Sequence, residues 1–162
     1  MEILAHPNPA LQQRAYDVDP RTDAELKRLI KAMAKAMYEA PGIGLAATQV
    51  GVQKRVIIID IDDGLMALCN PVIVDASEET EVDEEGCLSL PGLTVAVERA
   101  VRCACEAVDL SGNSLRLEAE GLFARVLQHE ADHLDGVLII DRATSEERRA
   151  ALRRYHEANT RS

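Results

Sequence analysis

The stretch "GLFARVLQHEADHL", residues 121–134, combines a helical hydrophobic period with the pattern His-Glu-x-x-His. On a helix, four of its residues share one apolar, core-facing stripe: Leu122, Val126, His129 and His133. Side chains four residues apart lie about 5–6 Å from each other at Cβ, so both imidazoles can bind one metal ion. Glu130 lies about 100° around the helix, where its carboxylate can serve as a general base beside that ion. The stretch therefore predicts a helix that carries a metal site for hydrolysis.

A longer protease signature, His-Glu-x-x-His-x-x-Gly-x-x-His, fits only in part. Gly136 matches it, but Ile139 occupies the position of the third histidine. The remaining histidines, His6 and His156, have no supporting pattern around them, and Glu157 lies in a polar, Arg-rich segment. The sequence thus disfavours a metallopeptidase of this type, and a third ligand is expected elsewhere.

Cys87 is the remaining candidate ligand, within "DEEGCLSLPG", residues 83–92, between two strand-like runs. A thiolate binds zinc or iron strongly, and one Cys with two His leaves a fourth position open for chemistry. The other three cysteines fall in apolar or alternating runs and are expected to be buried core thiols: Cys69, Cys103 and Cys105.

Length and composition indicate one globular domain over residues 1–162, with 47% hydrophobic and 28% charged residues. The formal net charge of −10 disfavours a DNA-binding protein, which needs positive surface against phosphates. The first residues do not show the basic region followed by an apolar run that is typical of a signal peptide. No run approaches the roughly 20 apolar residues of a membrane helix. We therefore expect a cytoplasmic protein without membrane or DNA partners.

Outside this stretch, the hydrophobic pattern predicts a helix near each end and strands between them. Residues 21–40 read as an amphipathic helix with a capping box at Thr22 and Glu25. A second capping box, Thr144 and Glu147, opens a C-terminal helix, and "VLIID" at 137–141 suggests a short strand. Strand-like runs lie at 55–61, 65–76, 93–110 and 114–119. The expected fold is α+β: antiparallel or mixed sheets around a central metal-binding helix, with N-terminal and C-terminal helices.

Residues 42–51, "GIGLAATQVG", nominally match a dinucleotide-binding fingerprint through Gly42, Gly44 and Ala47. That motif requires a strand before the glycines and a helix after them. Here the predicted order is reversed, which argues against nucleotide binding. The small side chains instead allow a ligand or another backbone to approach closely, and Gln49 is the polar group that such a loop presents.

Three segments together resemble the motifs of peptide deformylases in order and spacing. They are "GIGLAATQ" (42–49), "EGCLS" (85–89) and "QHEADH" (128–133), where Gln128 and Asp132 also match. The resemblance extends along nearly the whole chain, and the helical C-terminus is similar to that of a bacterial subgroup.

This resemblance implies specific roles for residues of this chain. One divalent ion, usually Fe²⁺ in the cell with Zn²⁺, Ni²⁺ or Co²⁺ as alternatives, would be bound by three ligands: Cys87, His129 and His133. Glu130 would move the proton, while the side-chain amide of Gln49 and the backbone N–H of Leu88 would hold the oxygen of the tetrahedral intermediate. Gly44 would contribute a backbone contact to the peptide.

The implied reaction removes the N-formyl group from nascent chains that begin with formyl-methionine, releasing formate. An apolar pocket for the methionine side chain would be formed by Ile43, Leu122 and Val126. In this family the C-terminal helix is associated with ribosome docking, although an amphipathic helix packed through Leu152 and Tyr155 explains residues 144–162 equally well.

Two positions depart from the family pattern. Thr94 stands where a larger, often basic residue is common, and Asp83 stands where an apolar pocket residue is frequent. Both bear on substrate affinity more than on reaction type. Two other functions remain open: a metal-binding paralogue that recognises a peptide or ribosomal partner without turnover, and a metallopeptidase of another specificity.

Overall fold

Two antiparallel sheets and three α-helices make up residues 1–160, the part of the chain that the computed structural model describes. The helices are α1 (Leu26–Glu39), α2 (Gly121–Leu134) and α3 (Ser145–Thr160). The strands are β1 (Gly44–Ala46), β2 (Val56–Ile59), β3 (Met66–Ala76), β4 (Thr80–Gly86), β5 (Thr94–Ala100), β6 (Arg102–Val108) and β7 (Ser114–Glu120). This arrangement confirms the predicted α+β class. The last two residues of the predicted domain and C-terminal segment lie outside the described residues.

The larger sheet has the order β1-β2-β3-β6-β7 and lies between α1 and α2. Strand β2 explains why the sheet needs a helix on each face, because all four of its residues are buried. Val56 and Ile58 belong to the core cluster that includes the apolar stripe of α1. Ile57 and Ile59 belong to the cluster that includes α2. A continuous apolar strand of this kind needs cover on both faces, and the two helices supply it.

The smaller sheet consists of β4 and β5, which pair in register from Thr80 with Ala100 to Gly86 with Thr94. Only alternate residues of β5 point inward, and Val95 and Val97 contribute to a third core cluster. That cluster also contains residues of a 3₁₀ turn (Ile139–Arg142) and of α3. The C-terminal helix therefore shares one core with this hairpin and the 3₁₀ turn.

The first helix begins at Leu26, four residues after Thr22, so the predicted capping box of Thr22 and Glu25 is wrong. Thr22 Oγ1 donates to the carbonyl oxygen of Asp19 at 3.5 Å instead of capping a helix. The carboxylate of Asp23 accepts from the backbone N–H of Glu25, and α1 starts at Leu26. Local side-chain bonds of Asp and Thr compete with the first turn of a helix here. The predicted apolar stripe of α1 is buried: Leu26, Leu29, Ile30, Met33 and Met37.

The predicted strand at "VLIID" is also wrong. Leu138, Ile139 and Ile140 are all buried, and a strand with one covered face cannot bury three consecutive side chains. The segment forms the 3₁₀ turn, in which the Asp141 carboxylate accepts from the Leu138 N–H at 2.9 Å. Two strands were not predicted: β1, which has three residues, and β4, which is mostly acidic and buries only Glu85.

Several local predictions are confirmed. The Thr144 hydroxyl accepts from the Glu147 N–H at 3.2 Å, which is one half of the predicted capping box before α3. All four cysteines are free, and the three predicted core thiols, Cys69, Cys103 and Cys105, are buried. Burial raises the pKa of Cys69 and Cys105 to about 11, so these thiols stay protonated. Within residues 1–160, no helix has the length and apolarity needed to cross a bilayer.

Candidate metal centre and substrate groove

Three potential metal ligands converge at the centre of the fold. Cys87, in the loop after β4, and His129 and His133, on α2, offer ligand atoms that all lie within 4.8 Å of one another. Cys87 Sγ lies 3.3 Å from His133 Nε2, which lies 3.3 Å from His129 Nε2. One thiol and two imidazoles are donors that zinc and divalent iron accept, and three of them leave one position open. The set therefore fits a single metal ion.

Glu85 fixes the orientation of His129. Its Oε1 lies 2.8 Å from His129 Nδ1, so Nδ1 carries a hydrogen and Nε2 faces His133 in the ligand cluster. Burial raises the pKa of Glu85, but the bonds to His129 and Arg99 outweigh burial and lower the pKa to about 2. The carboxylate is thus ionised and serves as a permanent acceptor behind the cluster.

A network of buried charges extends from Glu85 away from the cluster. Arg99 donates to both Glu85 oxygens at 3.0 Å, and Arg125 donates to Oε2 at 2.6 Å. Arg99 also donates to Asp132 at 2.6 Å, and Asp132 accepts two further bonds from Arg142. The side-chain amide of Gln128 accepts from the N–H of Ala100 and donates to the carbonyl oxygen of Ala100. This network ties α2 to the β4–β5 hairpin.

The three arginines were not predicted as site residues: Arg99, Arg125 and Arg142. A signal for Arg99 was present in the sequence, since Val95, Val97 and Arg99 share the inward phase of β5. A charged residue in the buried phase of a strand needs a buried partner. Arg99 is only 5% exposed, and Glu85 is that partner.

Glu130 has the opposite environment. It is buried, and its Oε1 has no hydrogen-bond partner within the described residues. Burial raises its pKa to about 7, although the charge of His129 acts against this. A Cβ atom at Gly44 would lie 2.6 Å from Glu130 Oε2, so only glycine at this position leaves room for the carboxylate. Such a group can bind and release a proton near neutral pH.

The two histidines differ in their affinity for protons. Burial and the neighbouring His129 hold the pKa of His133 well below its usual value, which keeps it neutral and free to bind a metal. Burial lowers the pKa of His129, but Glu130, Cys87 and Glu85 more than offset it and raise the pKa to about 10. A metal ion that binds here must displace the proton of His129.

Gln49 points its amide toward the cluster from the short turn after β1. Its Oε1 accepts from the Ala46 N–H at 2.9 Å, which leaves the NH₂ group facing Ser89 Oγ at 3.1 Å and Cys87 Sγ at 3.7 Å. Leu88 lies next to Cys87, and within residues 1–160 its backbone N–H makes no hydrogen bond. Two donors from different segments are therefore available beside the three ligand atoms.

A groove of about 880 Å³ opens over these residues. Nine of the ten predicted site residues line it: Ile43, Gly44, Gln49, Cys87, Leu88, Leu122, Val126, His129 and Glu130. The tenth, His133, is buried and does not line the groove. Leu122 was predicted to face the core, but it is 56% exposed because it sits in the first turn of α2, at the mouth of the groove. The apolar lining and the convergent polar groups are typical of a substrate site.

The two positions that depart from the family pattern differ in their location. Thr94 lines the groove, whereas Asp83 is an exposed residue of β4 outside the groove lining. The Asp83 carboxylate accepts from the N–H of Glu84 at 2.8 Å. Glu84, Glu85 and Arg125 line this side of the groove instead, so the groove wall next to β4 is more polar than the resemblance implied.

Comparisons with known proteins agree with this geometry. Residues 1–149 match the polypeptide deformylase family. Over 143 residues, the chain is 49% identical to the peptide deformylase of Natranaerobius thermophilus, with 88% of this chain and 91% of that protein covered. With the peptide deformylase of Rhizobium meliloti it is 44% identical, over 96% of this chain and 92% of the relative.

Solved structures are similar over the same length. A peptide deformylase from Legionella pneumophila superposes with a TM-score of 0.91 at 37% identity, covering 98% of this chain and 95% of the other. One from Synechococcus elongatus, in complex with actinonin, gives 0.90 at 41% identity and covers 96% and 86%. Sequence, fold and the Cys-His-His cluster thus agree, and the chain belongs to the peptide deformylase family.

Proposed function

We propose that this protein removes the N-formyl group from formyl-methionine at the start of nascent polypeptides and releases formate. The observation that carries this function is the position of Glu130, a buried carboxylate next to the Cys87, His129 and His133 cluster on the wall of the groove. The enzyme is a metal-dependent amide hydrolase of the deformylase family.

The three ligands would hold one divalent ion, and Fe²⁺ is our proposal for the native metal. Such an ion supplies Lewis-acid chemistry, which makes water a strong nucleophile at neutral pH and polarises a carbonyl group. Glu85 and Arg99 keep His129 in the tautomer that can bind the ion.

Glu130 transfers the proton in this mechanism. Its carboxylate takes a proton from the attacking water and then gives it to the leaving amine. The Gln49 amide and the Leu88 N–H donate to the oxygen that becomes negative in the tetrahedral intermediate. Each donor of this kind contributes about 3–4 kcal/mol in comparable hydrolases. The methionine side chain lies in the part of the groove lined by Ile43, Leu122 and Val126, and Gly44 contacts the peptide backbone.

The α3 helix is proposed as a docking element for the ribosome. Its exposed side carries Arg149, Arg153 and Arg154, and residues 144–162 hold five Arg against three Glu. This local balance of +2, in a protein of net charge −10, suits an RNA-rich partner. Reversing these three charges should abolish co-sedimentation with ribosomes, while Tyr155 and the packing of α3 stay intact. Unchanged co-sedimentation would remove the docking role and leave α3 as a packing element.

Formate release tests the proposed reaction. The protein is purified without oxygen, its bound metal is quantified, and formate release from formyl-Met-Ala-Ser is measured for the wild type and for Glu130→Ala. We expect activity in the wild type, retained metal in the variant, and a loss of about 10³-fold in kcat, the scale of general acid–base catalysis. An exposed glutamate of β5, changed in Glu98→Ala, is the control and should retain full activity.

Two outcomes would contradict the proposal. Bound metal without formate release by the wild type would favour a binding protein that recognises peptides without turnover. Equal turnover of formyl-Met-Ala-Ser and acetyl-Met-Ala-Ser would contradict the specificity for the formyl group, which a tight cavity at the metal should select by size.

A further inference from the structure

The N-terminal residues 3–6 run across two segments of the active site and bond to both. The Leu4 N–H donates to the carbonyl oxygen of Gln49 at 2.7 Å, and the His6 N–H donates to the carbonyl oxygen of Ser89 at 2.8 Å. We call residues 3–6 the N-terminal strap. It joins the turn that carries Gln49 to the loop that carries Cys87 and Leu88.

The strap is itself fastened by α3. The hydroxyl group of Tyr155 donates to the carbonyl oxygen of His6 at 3.0 Å, and the two rings pack edge to face with centroids 6.0 Å apart. Tyr155 is 5% exposed and belongs to the third core cluster, into which Leu4 and Cys87 also pack. The position of the strap therefore depends on a buried side chain of the C-terminal helix.

This connection matters because the two proposed oxyanion donors come from different segments. Both the Gln49 amide and the Leu88 N–H must lie about 2.7–3.1 Å from the same oxygen, so a small relative shift of the two segments weakens one bond or both. The side chains of Gln49 and Ser89 join the segments directly at 3.1 Å. The strap adds a second, backbone connection between the same two residues.

We propose that the N-terminal strap and Tyr155 form a positioning device that sets the distance between the two oxyanion donors. Tyr155 is then a positioning residue, because it acts through His6, Ser89 and Gln49 and is not among the residues that line the groove. This inference rests on the proposed deformylase function, which supplies the oxyanion.

Tyr155→Phe tests the proposal, because it removes one hydroxyl group and keeps the packed ring. We expect kcat for formyl-Met-Ala-Ser to fall about fivefold, as for a lost hydrogen bond, with KM unchanged, since the donors act on the transition state. Amide hydrogen exchange of the holoenzyme should become faster in the peptides that contain Gln49 and Ser89. Tyr16→Phe is the matched control, since Tyr16 is 76% exposed and makes none of the hydrogen bonds of the strap, and it should leave kcat unchanged.

A double-mutant cycle distinguishes this role from a purely structural one. When Gln49→Ala has already removed the donor, Tyr155→Phe should lower kcat by less than twofold, because there is little left to position. The same fivefold loss in both backgrounds would overturn the proposal. So would a wild-type kcat in Tyr155→Phe accompanied only by a lower Tm.

A second pair of variants keeps the proposal testable if Tyr155→Phe does not fold. Leu4→Pro removes the N–H that binds Gln49, whereas Leu4→Ala keeps that N–H and also shortens the side chain. We expect the proline variant to have about a fivefold lower kcat than the alanine variant, and equal kcat values would count against the strap. Failure of the proposed function has a different signature, since the wild type itself would then release no formate.

Discussion

Glu85 and Glu130 are two buried glutamates beside His129, and they have opposite environments. Glu85 accepts hydrogen bonds from Arg99, Arg125 and His129. Burial raises its pKa, but the interactions with His129 and Arg99 outweigh burial and lower the pKa to about 2. The Oε1 atom of Glu130 has no partner within residues 1–160, and burial raises its pKa to about 7. The number of donors around a carboxylate, rather than its depth, decides whether it stays charged or exchanges protons. Glu85 orients His129, and Glu130 is suited to proton transfer.

Removing the charge of Glu85 should have the largest effect on stability. Glu85→Gln leaves the guanidinium groups of Arg99 and Arg125 buried with fewer acceptors, and breaking a buried pair costs about 3–5 kcal/mol. For a protein of this size, Tm should fall by roughly 10 °C in thermal unfolding. Glu78→Gln, at an exposed position just before β4, is the control and should change Tm by less than about 2 °C.

The same variant should weaken the metal site, because the carboxylate of Glu85 no longer orients His129. Loss of such a partner costs about 10–100-fold in metal affinity in known sites. A competition titration with a chelator measures it. Wild-type stability and metal affinity in Glu85→Gln would show that the buried network has no supporting role.

The two glutamates should give the protein, once stripped of metal, opposite responses to pH. The folded pKa of Glu85 is about 2, below its ordinary 4.5, so its stabilisation is complete above pH 4.5 and is lost as pH falls toward 2. The size of that loss is about 3 kcal/mol. The folded pKa of Glu130 is about 7, above its ordinary 4.5. Its contribution to the free energy of unfolding is therefore complete below pH 4.5 and is lost as pH rises through 7. Urea unfolding of the wild type between pH 3 and 9, compared with Glu85→Gln and with Glu130→Gln, should separate these two slopes from those of His129 and His133.

Sequence patterns could predict that Cys87, His129 and His133 come together with Glu130 beside them, because those residues are specified locally. His129, Glu130 and His133 follow one helical period, and Cys87 lies in a short motif. The network behind them depends on tertiary contacts, since Arg99 meets Glu85 and Asp132 across three separate elements. No periodicity in one segment reveals such a set.

The missed strand β4 has the same explanation. Glu81, Asp83 and Glu84 are exposed, and acidic residues are rare in strands, so the segment lacks the apolar alternation that marks a strand. Its pairing with β5 and the burial of Glu85 against Arg99 hold it in the sheet. Glu85, which the sequence analysis named only as part of the segment 85–89, is therefore central to the hairpin.

Replacing Glu130 should have a smaller effect on stability, with the opposite sign to that of Glu85. Glu130→Gln keeps the shape of the side chain and removes the need to ionise a buried group, so metal-free protein should gain about 1–3 kcal/mol at pH 8. At pH 4.5 the gain should disappear, because the wild-type carboxyl is then protonated. Urea unfolding of both proteins at the two pH values measures this. A destabilised variant at pH 8 would mean that the attraction between the Glu130 carboxylate and His129 outweighs the cost of burying the charge.

The smallest effect is expected at the outer end of the network, where Arg142 meets Asp132. The Arg142 side chain is 48% exposed, while Arg99, on the other side of Asp132, is 5% exposed. Because solvent screens the outer pair, Arg142→Ala should cost less than about 1 kcal/mol, or roughly 3 °C in Tm. Asp132 keeps the bond from Arg99, so His129 and the metal affinity should not change. A loss as large as that of Glu85→Gln would mean that the network acts as one cooperative unit whose stability does not depend on burial at each pair.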